Sequence, residues 1–311
     1  ILPTGIGCTS LQLHLVIRDL QHRWMNSIRG KLYTQRTERQ VSSSDFCRCL
    51  GSPISHSLSP LLHNTVYEFL GIKASYMAYE VSSGQLRNFL DNDGSALNNL
   101  SLTMPLKEEA LTIADSISDI SRQIHSGNTL HRKAGLWNLT STDVDGFTHA
   151  LQFNNRSAKG NVLIIGAGAT ARAVVAACDQ VSDLVTVINR SPEREQAIRD
   201  SGPNQEIDFI SWDPSIDFNK YDLVVNTTPG ETASILVDHI DSPSSTFFEV
   251  LYNPWPTQLL SHWRKAGGFG IDGLDLLIHQ AISQVEIFAS CVVERESIAK
   301  MLRTVGEKAL S

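Results

Sequence analysis

From Phe46 onward, short apolar runs bounded by glycine and proline alternate with segments of helical spacing, the pattern of strand and helix in turn. Phe46-Cys-Arg-Cys-Leu50 alternates as a strand and places Cys47 and Cys49 on one face, where thiols pack more often than they react. After the loop of residues 51–60, Leu61, Leu62, Val66, Phe69 and Leu70 fall at helical spacing, and Ser59 before Pro60 supplies a helix cap and a first-turn proline. A second strand is predicted over residues 75–81 and a helix over 83–90. Residues 99–104 form a strand stopped by Pro105, and the next helix carries Lys107 in its first turn. Two strand-like pieces, residues 124–130 and 135–146, flank a basic turn at His131-Arg-Lys133, and a helix covers 147–153 with Thr142-Asp143 as its cap.

The second half opens with the most regular stretch of the chain. Val162-Leu-Ile-Ile165 runs into Gly166-Ala-Gly-Ala-Thr-Ala-Arg-Ala173 and then the small, apolar Val174-Val-Ala-Ala-Cys178, which reads as strand, glycine turn and helix. Further strands are predicted over 207–210, 221–226 and 246–252, a helix over 258–265, and a glycine-rich break over 267–273. A closing helix pair covers 274–311, with Leu276, Leu277, Gln280, Ala281, Val285 and Phe288 on one face. Gln280 among apolar neighbours reads locally as a satisfied core amide.

About twenty residues beyond the glycines, a β-branched run ends in Asn189-Arg190-Ser191, the spacing of a dinucleotide-binding βαβ unit. Gly166 makes the tight turn, and Ala167, Gly168, Ala169 and Thr170 let backbone amides approach a pyrophosphate at the helix N-terminus. Ala171 is the small residue where helix meets strand. An NAD site places an acid at the end of the second strand, whereas this chain has Asn189, Arg190, Ser191 and, close behind, Arg194. A dianionic 2′-phosphate suits guanidinium and neutral donors, so NADP is expected. The alternative is a solvated helix start. Asn226-Thr227 begins a loop at the carboxyl end of a predicted strand, where open α/β sheets bind ligands.

Length and composition narrow the class. A chain of 311 residues, 41% of them hydrophobic, has room for two domains with real cores. With 33 acidic against 26 basic residues and a net charge of −7, neither nucleic acid nor a membrane is expected as partner. Five cysteines without a C-x-x-C fit reduced thiols of a cytoplasmic protein, and the scattered histidines lack metal-ligand spacing. Residues 11–28 are either an amphipathic helix or irregular and carry no signal-peptide pattern, and 31–44 are linker-like in composition. Residues 1–44 are therefore expected to be an extension outside the catalytic fold. Ser55, Ser57 and Ser59 recur around His56 in a glycine-proline loop, a hydroxyl-rich surface suited to a polyol.

These segments together resemble the shikimate dehydrogenase family. Residues 51–60 resemble its G-x-P-x-x-H-S-x-S-P loop, and Leu102-Thr-Met-Pro-Leu-Lys107 its N-V-T-x-P-x-K motif. Gly127-Asn-Thr129 resembles the G-A-x-N-T segment, Thr142-Asp143 with Gly146 the N-T-D-x-x-G segment, and residues 166–173 the G-A-G-G-A-x-R-A loop. Asn189-Arg190-Ser191 resembles the NADP-selecting N-R-T/S element, and residues 273–281 the closing G-x-x-M-L-x-x-Q-A motif. The resemblance implies Lys107 and Asp143 as catalytic pair, with Ser57, Ser59, Thr103, Asn128, Tyr252 and Gln280 on a substrate carboxylate and hydroxyls. It adds Gly273 to the cofactor residues named above. Departures are Ser101 and Ser141, each where the family commonly has Asn, Glu249 in place of Asp, and His125-Ser-Gly127 before Asn128.

The fold expected is α/β, a smaller substrate domain over 45–146 and a Rossmann-like doubly wound NADP domain over 147–267, with helices of 268–311 returning to the first. The reaction implied is reversible NADP-dependent reduction of 3-dehydroshikimate to shikimate in aromatic amino acid biosynthesis, by a monomer or homodimer. The rivals are a catabolic quinate/shikimate dehydrogenase, against which Arg190 argues, and a non-catalytic metabolite sensor, against which Lys107 and Asp143 argue.

Overall fold

The computed structural model describes residues 46–213, 215–230 and 232–311. The expectations for residues 1–44 lie outside them.

The strands form two six-stranded sheets. The first contains β1 (Phe46–Gly51), β2 (Ser75–Glu80), β3 (Asn99–Leu102), β4 (Ser116–Ile117), β5 (Thr129–Lys133) and β6 (Leu136–Thr140), in the order β2-β1-β3-β5-β6-β4. It is mixed: β1 pairs in parallel with β2 and β3, and β5 is antiparallel to both β3 and β6. The second contains β7 (Asn161–Ile165), β8 (Leu184–Asn189), β9 (Ile207–Ser211), β10 (Leu223–Asn226), β11 (Thr246–Glu249) and β12 (Phe269–Ile271), in the order β12-β11-β10-β7-β8-β9. Every pairing in it is parallel. This is the doubly wound order, whose ligand crevice opens where the winding reverses, between β7 and β10. Parallel strands are covered on both faces, which is why Val162–Ile165 is a continuous apolar run with every member fully buried.

Helices join the two sheets. Helix α1 (Ser59–Leu70), α9 (Gly273–Ala289) and α10 (Arg295–Leu310) cover one face of the first sheet, with Cys47, Cys49, Leu62, Val66, Ile278, Ile282 and Met301 in one core. The short helices α2 (Leu86–Asp91), α3 (Leu106–Glu109) and α4 (Asp119–Gln123) lie among the remaining strands of that half, where Leu50, Leu86, Leu100, Leu106 and Leu139 form a second core. Helix α5 (Asp143–Phe153) and α6 (Ala169–Cys178) cover one face of the second sheet through Phe147, Leu151, Val174 and Val175. Its other face carries Leu163, Ile165, Phe247 and, from α8 (Gln258–Lys265), Leu260 and Trp263, while α7 (Glu195–Ser201) precedes β9. The last helices thus pack on the first sheet although the chain reaches them from the second.

Several local expectations are corrected. Ser59 is the first helical residue of α1 and not its cap: Leu58 holds the cap position without a side-chain bond, and Ser57 Oγ accepts from the Ser59 N–H at 3.3 Å. Helix α5 begins at Asp143, four residues earlier than expected, and Thr142 holds its cap position without a side-chain bond. The basic tripeptide His131–Lys133 belongs to β5, and the turn lies at Ala134-Gly135, both at positive φ (52° and 82°) as a tight hairpin demands. The glycine-rich break contains β12, where a Cβ at Gly268 or Gly270 would overlap Trp263 or Leu260 of α8. Close packing of helix on strand, not a turn, explains those two glycines.

Candidate active site

Lys107 enters from the start of α3 and Asp143 from the start of α5, and their side chains meet: Lys107 Nζ donates to Asp143 Oδ2 at 2.7 Å. Asp143 is 1% exposed and Lys107 14%, so the ammonium is the member that reaches open space. The other carboxylate oxygen, Oδ1, accepts from Asn128 Nδ2 at 3.0 Å and from Gln280 Nε2 at 2.6 Å. Three donors from separate parts of the chain, α3, the residue before β5 and α9, therefore converge on one buried carboxylate, a charge-assisted arrangement that fixes its rotamer.

The supports are equally specific. Asn128 Oδ1 accepts from the Thr142 N–H at 2.8 Å and from Thr129 Oγ1 at 2.7 Å, which ties β5 to the start of α5. Ser141 Oγ accepts from the Asp143 N–H at 3.3 Å. Gln280 reaches Asp143 because Gly146 stands opposite it: a Cβ there would come within 2.8 Å of Gln280 Cγ and 3.2 Å of its backbone nitrogen. Gln280 is thus no ordinary core amide. Gln284, one helical turn on, was not singled out from sequence. Its Nε2 donates to the Asn128 carbonyl at 3.2 Å and to Thr129 Oγ1 at 3.1 Å, and its Oε1 accepts from Ser101 Oγ at 2.8 Å. The available signal was a second amide four residues after Gln280 on the same apolar face.

Thr103 directly follows β3, Ser57 lies in the loop after β1, and Ser59 opens α1. Ser59 is buried, and Ser57 and Thr103 are half-buried. Gly51 accommodates Thr103, whose methyl a Cβ at that position would overlap. Beneath the serines, Cys49 accepts from Ser57 Oγ at 4.0 Å, and burial pushes its thiol pKa up. Tyr252 follows β11 of the second sheet yet stands beside this loop, its ring centroid 6.4 Å from that of His56. Burial pushes its hydroxyl up to about 12, opposed by hydrogen bonding with Ser57 and the Leu58 backbone.

In the second sheet, the end of β7 turns at Gly166, where φ is 103° and a Cβ would sit 2.8 Å from Thr227 Oγ1. At Gly168 a Cβ would meet only Arg194 Nη1, at 3.7 Å. Gly168 is the cap residue of α6, and among the described residues no side chain caps the helix's free N–H groups. A glycine cradle with open amides, closed on one side by a guanidinium, fits a pyrophosphate. Ala167 and Ala171 are buried beneath it, and Ala169 and Thr170 are half-buried. Arg194 Nη1 donates to the Ala167 carbonyl at 3.4 Å, Asn189 Nδ2 donates to the Ser191 carbonyl at 2.8 Å, and Arg190 is exposed.

Other expected cofactor residues use their atoms within the protein. Asn226 donates to both Glu249 oxygens at 3.0 and 3.1 Å and accepts from Thr228, while Thr227 Oγ1 donates to the Ile165 carbonyl at 2.8 Å. Glu249 also accepts from Thr257 Oγ1 at 2.9 Å, so the longer acid at this position bridges β10 to the cap of α8. Gly273 opens α9 wedged against the Val250 and Leu251 carbonyls, where any side chain would collide.

Comparison with known proteins follows the same division. Residues 49–130 match the model of the shikimate dehydrogenase substrate binding domain, and residues 162–237 match that of the saccharopine dehydrogenase NADP binding domain. A shikimate dehydrogenase (NADP(+)) of Leptospira interrogans is 31% identical over 264 residues, covering 81% of this chain and 91% of that one. The crystal structure of Mycobacterium tuberculosis shikimate dehydrogenase superposes with a TM-score of 0.75 at 31% identity, covering 84% of this chain and 99% of that one. A Thermus thermophilus shikimate 5-dehydrogenase, solved in complex with NADP(H) and shikimate, gives 0.73 at 26% identity over 84% and 99% of the two chains. Identity of 31% across 91% of a relative means that this chain belongs to the shikimate dehydrogenase family.

Proposed function

We propose that this protein is an NADP-dependent shikimate dehydrogenase, catalysing the reversible reduction of 3-dehydroshikimate to shikimate in aromatic amino acid biosynthesis. The observation that carries the reading is the Lys107–Asp143 pair, 2.7 Å apart, joined by Asn128 and Gln280 on the same carboxylate. NADP would be held at the cradle of Gly166 and Gly168, with Arg190, Ser191 and Arg194 toward its 2′-phosphate. When bound it supplies the hydride donor or acceptor, chemistry that no side chain provides.

The chain's own residues do the rest. In the reducing direction the Lys107 ammonium donates a proton to the developing alkoxide, and in the oxidising direction its amine takes the proton from the alcohol. Asp143 orients that ammonium and accepts from a substrate hydroxyl, its rotamer fixed by Asn128 and Gln280. Ser57, Ser59 and Thr103 bind the carboxylate end of the substrate, and Tyr252 closes the rim from the second sheet. Residues 45–146 with the helices of 268–311 act as the substrate domain and 147–267 as the cofactor domain, supported by the packing of α9 and α10 on the first sheet. Cys47, Cys49, Cys178 and Cys291 are in no disulfide, which fits a cytoplasmic enzyme; it acts as a monomer or homodimer.

The decisive experiment measures kcat/KM for NADP and NAD, each with shikimate and with quinate. A preference for NADP and shikimate is expected. Preference for NAD with quinate would replace this reading by the catabolic one, and binding of shikimate without turnover would make the protein a sensor.

A further inference from the structure

Arg172 belongs to α6, on the second sheet, yet it is 3% exposed and spends its guanidinium on the other half of the molecule. Its Nε donates to the Ile124 carbonyl at 2.7 Å, and its Nη2 donates to the His125 carbonyl at 3.1 Å and to Glu108 Oε1 at 2.6 Å. All three acceptors adjoin the Lys107–Asp143 cluster. Glu108 follows Lys107 in α3. Ile124 and His125 lead directly to Gly127, whose N–H donates to the Lys107 carbonyl at 2.9 Å, and to Asn128, which holds Asp143.

The backbone gripped by Arg172 is itself unusual. His125 lies in the left-handed region at φ 47°, a conformation that costs a side-chain-bearing residue energy and needs outside support. The guanidinium takes the carbonyls of Ile124 and His125, one on each side of the His125 Cα. A planar fork can do this and a point charge cannot. Glu108 is 56% exposed, so its ion pair is screened and the two carbonyl bonds carry the geometry. One residue earlier, Gln123 Nε2 donates to the Ser201 carbonyl of α7 at 2.8 Å, a second tie between the same two halves.

We infer that Arg172 is a positioning residue, setting the distance between the glycine turn that opens α6 and the Lys107–Asp143 pair, so that hydride and proton reach one carbon–oxygen bond together. The Arg172 N–H donates to the Gly168 carbonyl at 3.1 Å, so this side chain stands one turn from the cradle itself. The inference rests on the proposed function, and the wild-type enzyme assayed in parallel separates the two. An inactive wild type would sink the function, whereas an active wild type with an unaffected variant would sink only the role of Arg172.

Arg172→Ala should lower kcat by about 10- to 100-fold, the scale of a misplacement near 1 Å, while the KM values of both substrates stay within about threefold. The primary deuterium isotope effect on the transferred hydrogen should rise, and millimolar guanidinium should recover part of the lost kcat. Arg172→Lys should recover little, because an ammonium does not span both carbonyls. Glu108→Gln should stay within about threefold of wild type. A folded Arg172→Ala with wild-type kcat, or one that raises KM alone, overturns the inference. If Arg172→Ala does not fold, Arg172→Lys decides: full kcat in that variant overturns it as well.

Discussion

Replacing Asp143 by Asn keeps the shape of the side chain and removes its charge, so it tests the pairing with Lys107 directly. The carboxylate accepts three hydrogen bonds, from Lys107 on one oxygen and from Asn128 and Gln280 on the other. An amide can face two of these donors with its oxygen only if its NH2 then faces the Lys107 ammonium, donor against donor. The reverse orientation sets its NH2 against two amide donors, which is worse. The variant therefore forfeits one charge-assisted bond, worth about 1.5–3 kcal/mol, and the ammonium turns toward solvent, as its 14% exposure permits. Melting should fall by several degrees, by about 2–4 °C for each kcal/mol lost in a chain of this order of size. Turnover suffers more, because an unoriented ammonium no longer delivers its proton: initial rates of NADPH formation with shikimate should show kcat down by about 10²–10⁴-fold. A folded Asp143→Asn enzyme with kcat within about threefold of wild type would refute the assignment of this pair.

Other outcomes are equally specific. Gly146→Ala should push α9 from α5 and lift Gln280 off Asp143, raising the KM for shikimate by about tenfold; an unchanged KM would show that Gln280 does not contact substrate. Arg190→Ala should weaken NADP by about 10- to 100-fold, the equivalent of one or two charge-assisted bonds, and leave NAD unaffected, and equal losses with both cofactors would contradict a 2′-phosphate contact. Burial lowers the His63 pKa from 6.5 to about 4 and that of His279 from 6.5 to about 3. Below pH 6.5 the unfolded chain takes up protons that these buried rings refuse, so stability is complete above that pH and falls with acid until the folded values are reached. The slope is roughly 1 kcal/mol per pH unit for each ring, readable from urea midpoints, and a flat profile through this window would argue against neutral buried rings.

The strand-turn-helix unit at Val162–Cys178 was legible because a central parallel strand, covered on both faces, leaves an uninterrupted apolar run that ends in the glycines of the turn. β12 was not, because three residues flanked and interrupted by glycine carry no period, and their glycines answer to Trp263 and Leu260 rather than to a bend. The strand pair of the β5–β6 hairpin was legible but the place of its turn was not, since Ala134-Gly135 lacks the Asn-Gly signature although it adopts the same positive φ angles. At the candidate site, Thr142-Asp143 and Ser59 carry the residue types of helix caps. Only the hydrogen bonds show that Asp143 meets Lys107 instead, and that Ser57 accepts the Ser59 N–H.

Sequence alone determined the α/β class, the dinucleotide unit and the choice of Arg190 over an acid, because each depends on local periodicity or on a few adjacent residues. Tertiary packing decided that Asp143 binds a lysine 36 positions earlier and a glutamine 137 positions later. It also decided that Gln284 and Arg172 support the same cluster from two different helices. A hydrophobic period specifies which face of an element is buried, but not which element lies against it. That choice is made by close contacts such as the one Gly146 leaves for Gln280, and those exist only once the helices have packed.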